Sequence, residues 1–244
     1  MLKIKNLKKY FGGIKAIDNC DINIDKNKIT ALIGPNGAGK STIFDTVSGV
    51  IKADSGKIIF NNKNITNLEP HIISNLGISR MFQQSKLFNN LKVKDNLILA
   101  LDNDEKFLKN LITEDKINKE EKEKIMLILK QINMEKFYDK VCSELSYGQK
   151  RLIELARTVL KPHKFLMLDE PVAGVNPKIR NEISKILLNL KKNNDTILFI
   201  EHDMNFTLNI ADYVIVMDEG KVIAQGKPSM VKNNKKVIEA YLGE

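Results

Sequence analysis

The chain has 244 residues, 43% hydrophobic and 28% charged, with a formal net charge of +9. That is enough apolar material for a substantial core in one large domain, or one domain carrying a subdomain, and it excludes a disordered chain. The charge is diffuse: of 39 basic residues four are arginine, Arg80, Arg151, Arg157 and Arg180, whereas recognition of phosphates and bases favours the guanidinium fork. A solvated lysine-rich surface accounts for it, and no nucleic-acid partner is expected. No run approaches the ~18 apolar residues of a membrane-spanning helix, and the start MLKIKNLKKY lacks the apolar stretch of a secretory signal, so the cytoplasm is the expected location. Cys20 and Cys142 are too few and too far apart to suggest a disulfide framework or a metal site.

In chain order, KITALIG (28–34) predicts a strand and STIFDTVSG a helix, and between them Gly34-Pro35-Asn36-Gly37-Ala38-Gly39-Lys40-Ser41 fits G-x-x-x-x-G-K-[ST]. Glycines let the backbone curl around phosphates, so that consecutive N–H groups and a helix N-terminus face the negative charge. Lys40 adds a point charge near the β- and γ-phosphates, the Ser41 hydroxyl suits Mg²⁺, and Thr42 can bond a phosphate. Motif and context agree, and together they predict nucleotide binding.

KIIF (57–60) predicts another strand, after which the patterns at 92–101, 119–133 and 148–160 are helical. The polar segment 102–124 reads as a solvated loop and helix face. KFLMLD (164–169), TILFIE (196–201) and YVIVMD (213–218) are strands again, and Gly220 marks a hairpin before KVIAQG. FLMLD and ILFIE are almost continuously apolar, as expected of central strands covered on both faces. The expected fold class is α/β with a helical subdomain inserted at about 89–159 into a core of about 1–88 and 160–244, one unit over 1–244.

Asp169 and Glu170 close an apolar strand, and ligands in such sheets bind at those strand ends. The pair could merely cap a helix start, but beside a phosphate loop Asp169 can hold Mg²⁺ and Glu170 can polarise the water that attacks the γ-phosphate.

Other motifs stand in a definite order around these: Gln83 in SRMFQQ, Leu145-Ser146-Tyr147-Gly148-Gln149 opening KRLIELARTVL, Ala173-Gly174-Val175-Asn176, and His202 after TILFIE. That order resembles the ABC ATPases, with their Q-loop glutamine, LSGGQ signature, D-loop and switch histidine. The resemblance spans the chain and is closest to the ATP-binding subunit of branched-chain amino-acid importers, carried by FGGIKAID (11–18), SRMFQ (79–83), LSYGQKRLIELAR (145–157), LDEPVAGVNP (168–177), IEHDM (200–204) and EAYLGE (239–244). Tyr147 departs from the general second glycine of the signature and Asn176 from the usual D-loop aspartate; both are familiar in this subfamily.

The resemblance implies a P-loop NTPase fold, a mixed sheet with the helical insertion, that hydrolyses ATP with Mg²⁺. Glu170 would be the base, Gln83 would contact Mg²⁺ and the attacking water, and His202 would hold the γ-phosphate. Phe11, with Tyr10 as the alternative, would stack on adenine. Ser146, Gly148 and Gln149 would complete the phosphate cage from a second chain, in a head-to-tail pair formed with another copy or a homologous second ATPase. Two membrane permeases would be driven from the inner face of the cell membrane, with a substrate-binding protein engaged indirectly. Readings that remain open are a soluble ATPase of the iron–sulfur cluster assembly type and an exporter of lipid or lipopolysaccharide.

Overall fold

A computed structural model describes residues 1–84, 86–101 and 119–242, so most of the polar segment 102–124 lies outside the described residues. The chain opens with a hairpin of β1 (Leu2–Phe11) and β2 (Ile14–Ile24) turning at Gly12-Gly13; β4 (Ser55–Phe60) and the short β5 (Lys63–Asn64) complete an antiparallel sheet in the order β2-β1-β4-β5.

The larger sheet runs β10-β9-β3-β8-β7-β6, built from β3 (Ile29–Ile33), β6 (Ile78–Met81), β7 (Phe165–Asp169), β8 (Thr196–Ile200), β9 (Tyr213–Asp218) and β10 (Lys221–Gly226). It is parallel from β9 to β6, and antiparallel only where β10 returns through the turn at Gly220, so the sheet is mixed.

Successive side chains of a strand face opposite ways, and here each way leads to a different core. Phe165 and Met167 join Leu32, Leu198 and Met217 beneath the antiparallel sheet and α1 (Lys40–Val47), which contributes Ile43, Phe44 and Val47. Leu166 and Leu168 join Ile29, Ala31, Ile197 and Phe199 on the other face. Coverage on both faces is why β7 and β8 read as continuous apolar runs.

After α2 (Pro70–Asn75) and β6, the described residues up to β7 form α3 (Val93–Leu101), α4 (Lys119–Gln131), two single 3₁₀ turns and α5 (Tyr147–Leu160). α5 starts where it does because Ser146 and Gln149 form a reciprocal cap: the serine oxygen accepts from the Gln149 N–H, and the glutamine oxygen from the Ser146 N–H. α6 (Pro177–Lys192) begins with Pro177 behind an Asn176 cap and ends on Lys191 and Lys192, which complement its dipole. α7 (Met204–Ile210) is capped by Asp203; α8 (Pro228–Lys232) and α9 (Lys235–Leu242) follow β10.

Candidate functional site

The phosphate loop runs from the end of β3 into α1, and two of its glycines are required by space as well as by backbone angle. Gly34 (φ +149°) and Gly39 (φ +96°) press against the carbonyl oxygens of Met217 and Ala16; a Cβ would sit 2.0 and 2.1 Å from them. The Gly220 N–H donates to the Ala38 carbonyl at 3.2 Å, so the β9–β10 turn holds the loop from behind. Lys40, 5% exposed, donates from Nζ to the carbonyls of Gly34 and Pro35 at 2.7 Å each, while Asn36, Gly37 and Ser41 are exposed and Thr42 is half-buried. α1 has no side-chain cap, so its first N–H groups face the same concavity. Gly39→Ala combines left-handed strain with overpacking and is expected to lower the unfolding free energy by about 2–5 kcal/mol; denaturant titration checks this, and an unchanged midpoint contradicts the packing described.

Arg80 on β6 joins this loop to the acidic strand end. Its Nη1 donates to Asp45 Oδ1 and Ser48 Oγ of the α1 segment, both at 2.7 Å, and its Nη2 to Asp169 Oδ2 at 3.3 Å. Burial raises the Asp169 pKa above the ordinary carboxylate value, with Arg80 opposing. Its other oxygen, Oδ1, is buried with no hydrogen-bond partner. A buried carboxylate oxygen of that kind fits a bound divalent cation.

Glu170 lies between two of the predicted residues. Gln83 Nε2 donates to its Oε2 at 3.0 Å, and His202 Nε2 lies 3.1 Å from its Oε1. Three side chains that are 87 and 32 positions apart in sequence thus meet on one carboxylate. Glu170 itself has φ +48°, a region that bulky side chains rarely occupy. Such strain, held by the surrounding packing, aims the carboxylate out of the strand line toward Gln83 and His202.

The signature sits at the N-terminus of α5. Ser146 caps it, and the Gln149 side chain, expected to face phosphate, closes the reciprocal cap. The Tyr147 ring covers Gly174, where a Cβ would meet it at 3.2 Å. Near the phosphate loop Tyr10 is committed through its hydroxyl to Asp18 Oδ1 at 2.8 Å, whereas Phe11 is 45% exposed with Lys9 Nζ 5.2 Å from its ring centroid. The exposed ring is the one available to stack.

Two residues beside Glu170 were not singled out in the sequence. Arg151 on α5 donates to the carbonyls of Asp169 and Glu170. Glu201, 3% exposed, accepts from the Val172 N–H at 2.8 Å and the His202 N–H at 3.3 Å. Burial, with Glu170 and Asp203 adding like charge, pushes the Glu201 pKa from 4.5 up to about 7. The folded state therefore binds this proton more tightly than the unfolded state, and stability falls as pH rises through that window. Relative to Glu201→Gln, which does not titrate, the native chain is expected to lose on the order of 3 kcal/mol between pH 4.5 and 7. Urea titrations of both proteins across the window test this; parallel pH curves contradict it.

Similarity to known proteins matches this geometry. The family model described as ABC transporter matches residues 17–173, and that of the branched-chain amino acid ATP-binding cassette transporter matches 221–244. The chain is 40% identical to the probable branched-chain amino acid transport ATP-binding protein LivG of Archaeoglobus fulgidus, over 100% of this chain and 95% of that protein. It is 34% identical to the high-affinity protein of the same name in Escherichia coli, over 100% and 98%. Among solved structures it is similar to an ATP-binding cassette of an ABC transporter in its ADP conformation, at TM-score 0.88 and 36% identity over 100% and 99% of the two chains. The chain belongs to the ABC transporter family, as one of its ATP-binding and ATP-hydrolysing cassettes. No helix among the described residues is long and apolar enough to cross a membrane.

Proposed function

We propose that this chain energises the import of branched-chain amino acids, working on the inner face of the cell membrane beneath two permease subunits that receive cargo from a binding protein. What carries the reading is the carboxylate of Glu170 held between Gln83 and His202, in a chain similar along its whole length to branched-chain transport ATPases. That similarity favours the importer over the cluster-assembly and lipid-export readings.

In this reading the loop from Gly34 to Thr42 cradles the phosphates, with Lys40 as its fixed charge, and Phe11 stacks on adenine. Ser41, Asp169 and Gln83 would hold Mg²⁺, which neutralises phosphate charge when bound. Glu170 takes the proton of the attacking water, and Gln83 orients that water from the other side. His202 donates toward the γ-phosphate from Nε2 and keeps Glu170 in place. Ser146, Gly148 and Gln149 close the site of a second ATPase subunit, where this helix N-terminus completes the phosphate cage in trans. Loss of the γ-phosphate removes the charge that holds the pair closed, and the reopening moves the permeases.

A groove of about 470 Å³ adjoins the site, lined by Val50, Phe82, Leu99, Arg80 and Arg157 among others. Phe82 is the neighbour of Gln83, so a permease segment seated there would act on the catalytic glutamine directly. The test is ATP turnover of the assembled complex in liposomes with loaded binding protein. Stimulation by leucine, isoleucine or valine is expected; a response confined to a different cargo class contradicts the import assignment.

A further inference from the structure

We propose that Arg151 is a positioning residue that couples the signature helix to the catalytic loops of its own chain, so that closure on the opposite nucleotide is felt at Glu170 and Gln83. The inference rests on the head-to-tail pairing proposed above. Arg151 is 2% exposed and makes five hydrogen bonds, a large number for one side chain. From Nη2 it donates to the carbonyls of Asp169 at 2.7 Å and Glu170 at 2.6 Å. From Nη1 it donates to those of Phe82 at 3.1 Å and Gln83 at 3.2 Å, and to Glu154 Oε2 at 3.1 Å.

Glu154, one turn further along α5 and 7% exposed, accepts from the Lys86 N–H at 2.7 Å through its other oxygen. Arg157 then donates to the Lys86 carbonyl at 2.6 Å. Residues spaced by three share a face of a helix, and this face of α5 grips the backbone on both sides of the hydrolytic carboxylate. The grip is on main chain, through a planar guanidinium whose donors have fixed directions. A displacement of α5 therefore carries both loops with it.

At its N-terminus the same helix is capped by Ser146, two residues before Gly148 and five before Arg151. In the pair that end touches the partner's γ-phosphate. The N-terminal part of one helix, from Ser146 to Arg151, thus joins the opposite nucleotide to this chain's base, a contiguous physical link between the two sites. The Arg151–Glu154 ion pair explains how a charge is tolerated there: each partner neutralises the other, and backbone carbonyls accept from both terminal nitrogens, Nη1 and Nη2.

The test uses the full chain with the ATPase subunit it pairs with, and ATP as the probe. Arg151→Lys keeps the charge and loses the fork; kcat is expected to fall by about tenfold or more, as for small misplacements of catalytic groups, with KM for ATP changed by less than about threefold. In a Glu170→Gln background, closure with ATP should slow hydrogen exchange of peptides covering Gln83 and residue 170 when Arg151 is present, and should do so much less with lysine there. Where the lysine variant does not fold, Arg151→Met together with Glu154→Leu removes both charges and leaves no buried ion unpaired. If light scattering shows no ATP-driven pairing of the Glu170→Gln chain, the pairing reading fails. If pairing occurs and Arg151 variants keep native turnover and native exchange, the coupling role alone is overturned.

Discussion

Glu170→Gln is expected to bind ATP within about threefold of the native affinity while hydrolysing it roughly 10²–10³-fold more slowly, the range that a positioned general base supplies. Glutamine is close to isosteric and keeps an oxygen that can accept a hydrogen bond, so the contacts of Glu170 with Gln83 and His202 at 3.0 and 3.1 Å can re-form with the Gln83 amide turned over. What it cannot do is take a proton. ATP then stays intact, its charge keeps the two subunits closed, and a stable pair should accumulate. Equilibrium binding of a fluorescent nucleotide, single-turnover hydrolysis and light scattering together test this. Turnover within tenfold of native would remove Glu170 from the role of base.

Lys40→Ala is expected to act earlier, on binding itself. The ammonium is nearly buried and held by the Gly34 and Pro35 carbonyls inside the loop, so little of its interaction with a phosphate is screened by solvent. Hydrogen bonds to charged groups contribute about 1.5–3 kcal/mol, so the Kd for ATP should rise by roughly 10–150-fold. Because carbonyls of its own loop hold the Lys40 ammonium, unfolding of the variant should stay cooperative. Isothermal titration checks the affinity, and an unchanged Kd contradicts the placement of Lys40 at the phosphates.

How far these features could be read in advance depended on how local their causes are. β3, β7 and β8 were legible because a strand buried on both faces needs an unbroken apolar run, and ITALI, FLMLD and TILFI supply it. The phosphate loop was legible because its geometry is dictated by adjacent residues. β1 and β2 were not: Lys3 and Lys5 face solvent while Lys8 and Lys9 are half-buried, and Asn6 at φ +47° with the register shift between Ile4 and Leu7 breaks the alternation that marks a strand. β6 has four residues and reads as part of the SRMFQQ motif.

Gln83, Glu170 and His202 were each recognisable by position in the motif order, but their meeting on one carboxylate is a product of the parallel neighbours β6, β7 and β8. Arg151 and Glu201 show what a linear reading passes over. A buried charge is defined by partners 68 to 69 or 29 positions away, which no local pattern contains. Signals did exist. Arg151 and Glu154 interrupt what is otherwise the apolar face of α5, with Leu152, Leu155 and Ala156 beside them. Glu201 ends an apolar strand run in the same way as the Asp169-Glu170 pair.

Whether this cassette drives a membrane transporter is decided by purification from native membranes in a gentle detergent, with every bound partner identified by mass. Two polytopic permeases and a second ATPase subunit, or a second copy of this chain, are predicted. Recovery with soluble assembly proteins and no permease would contradict the account.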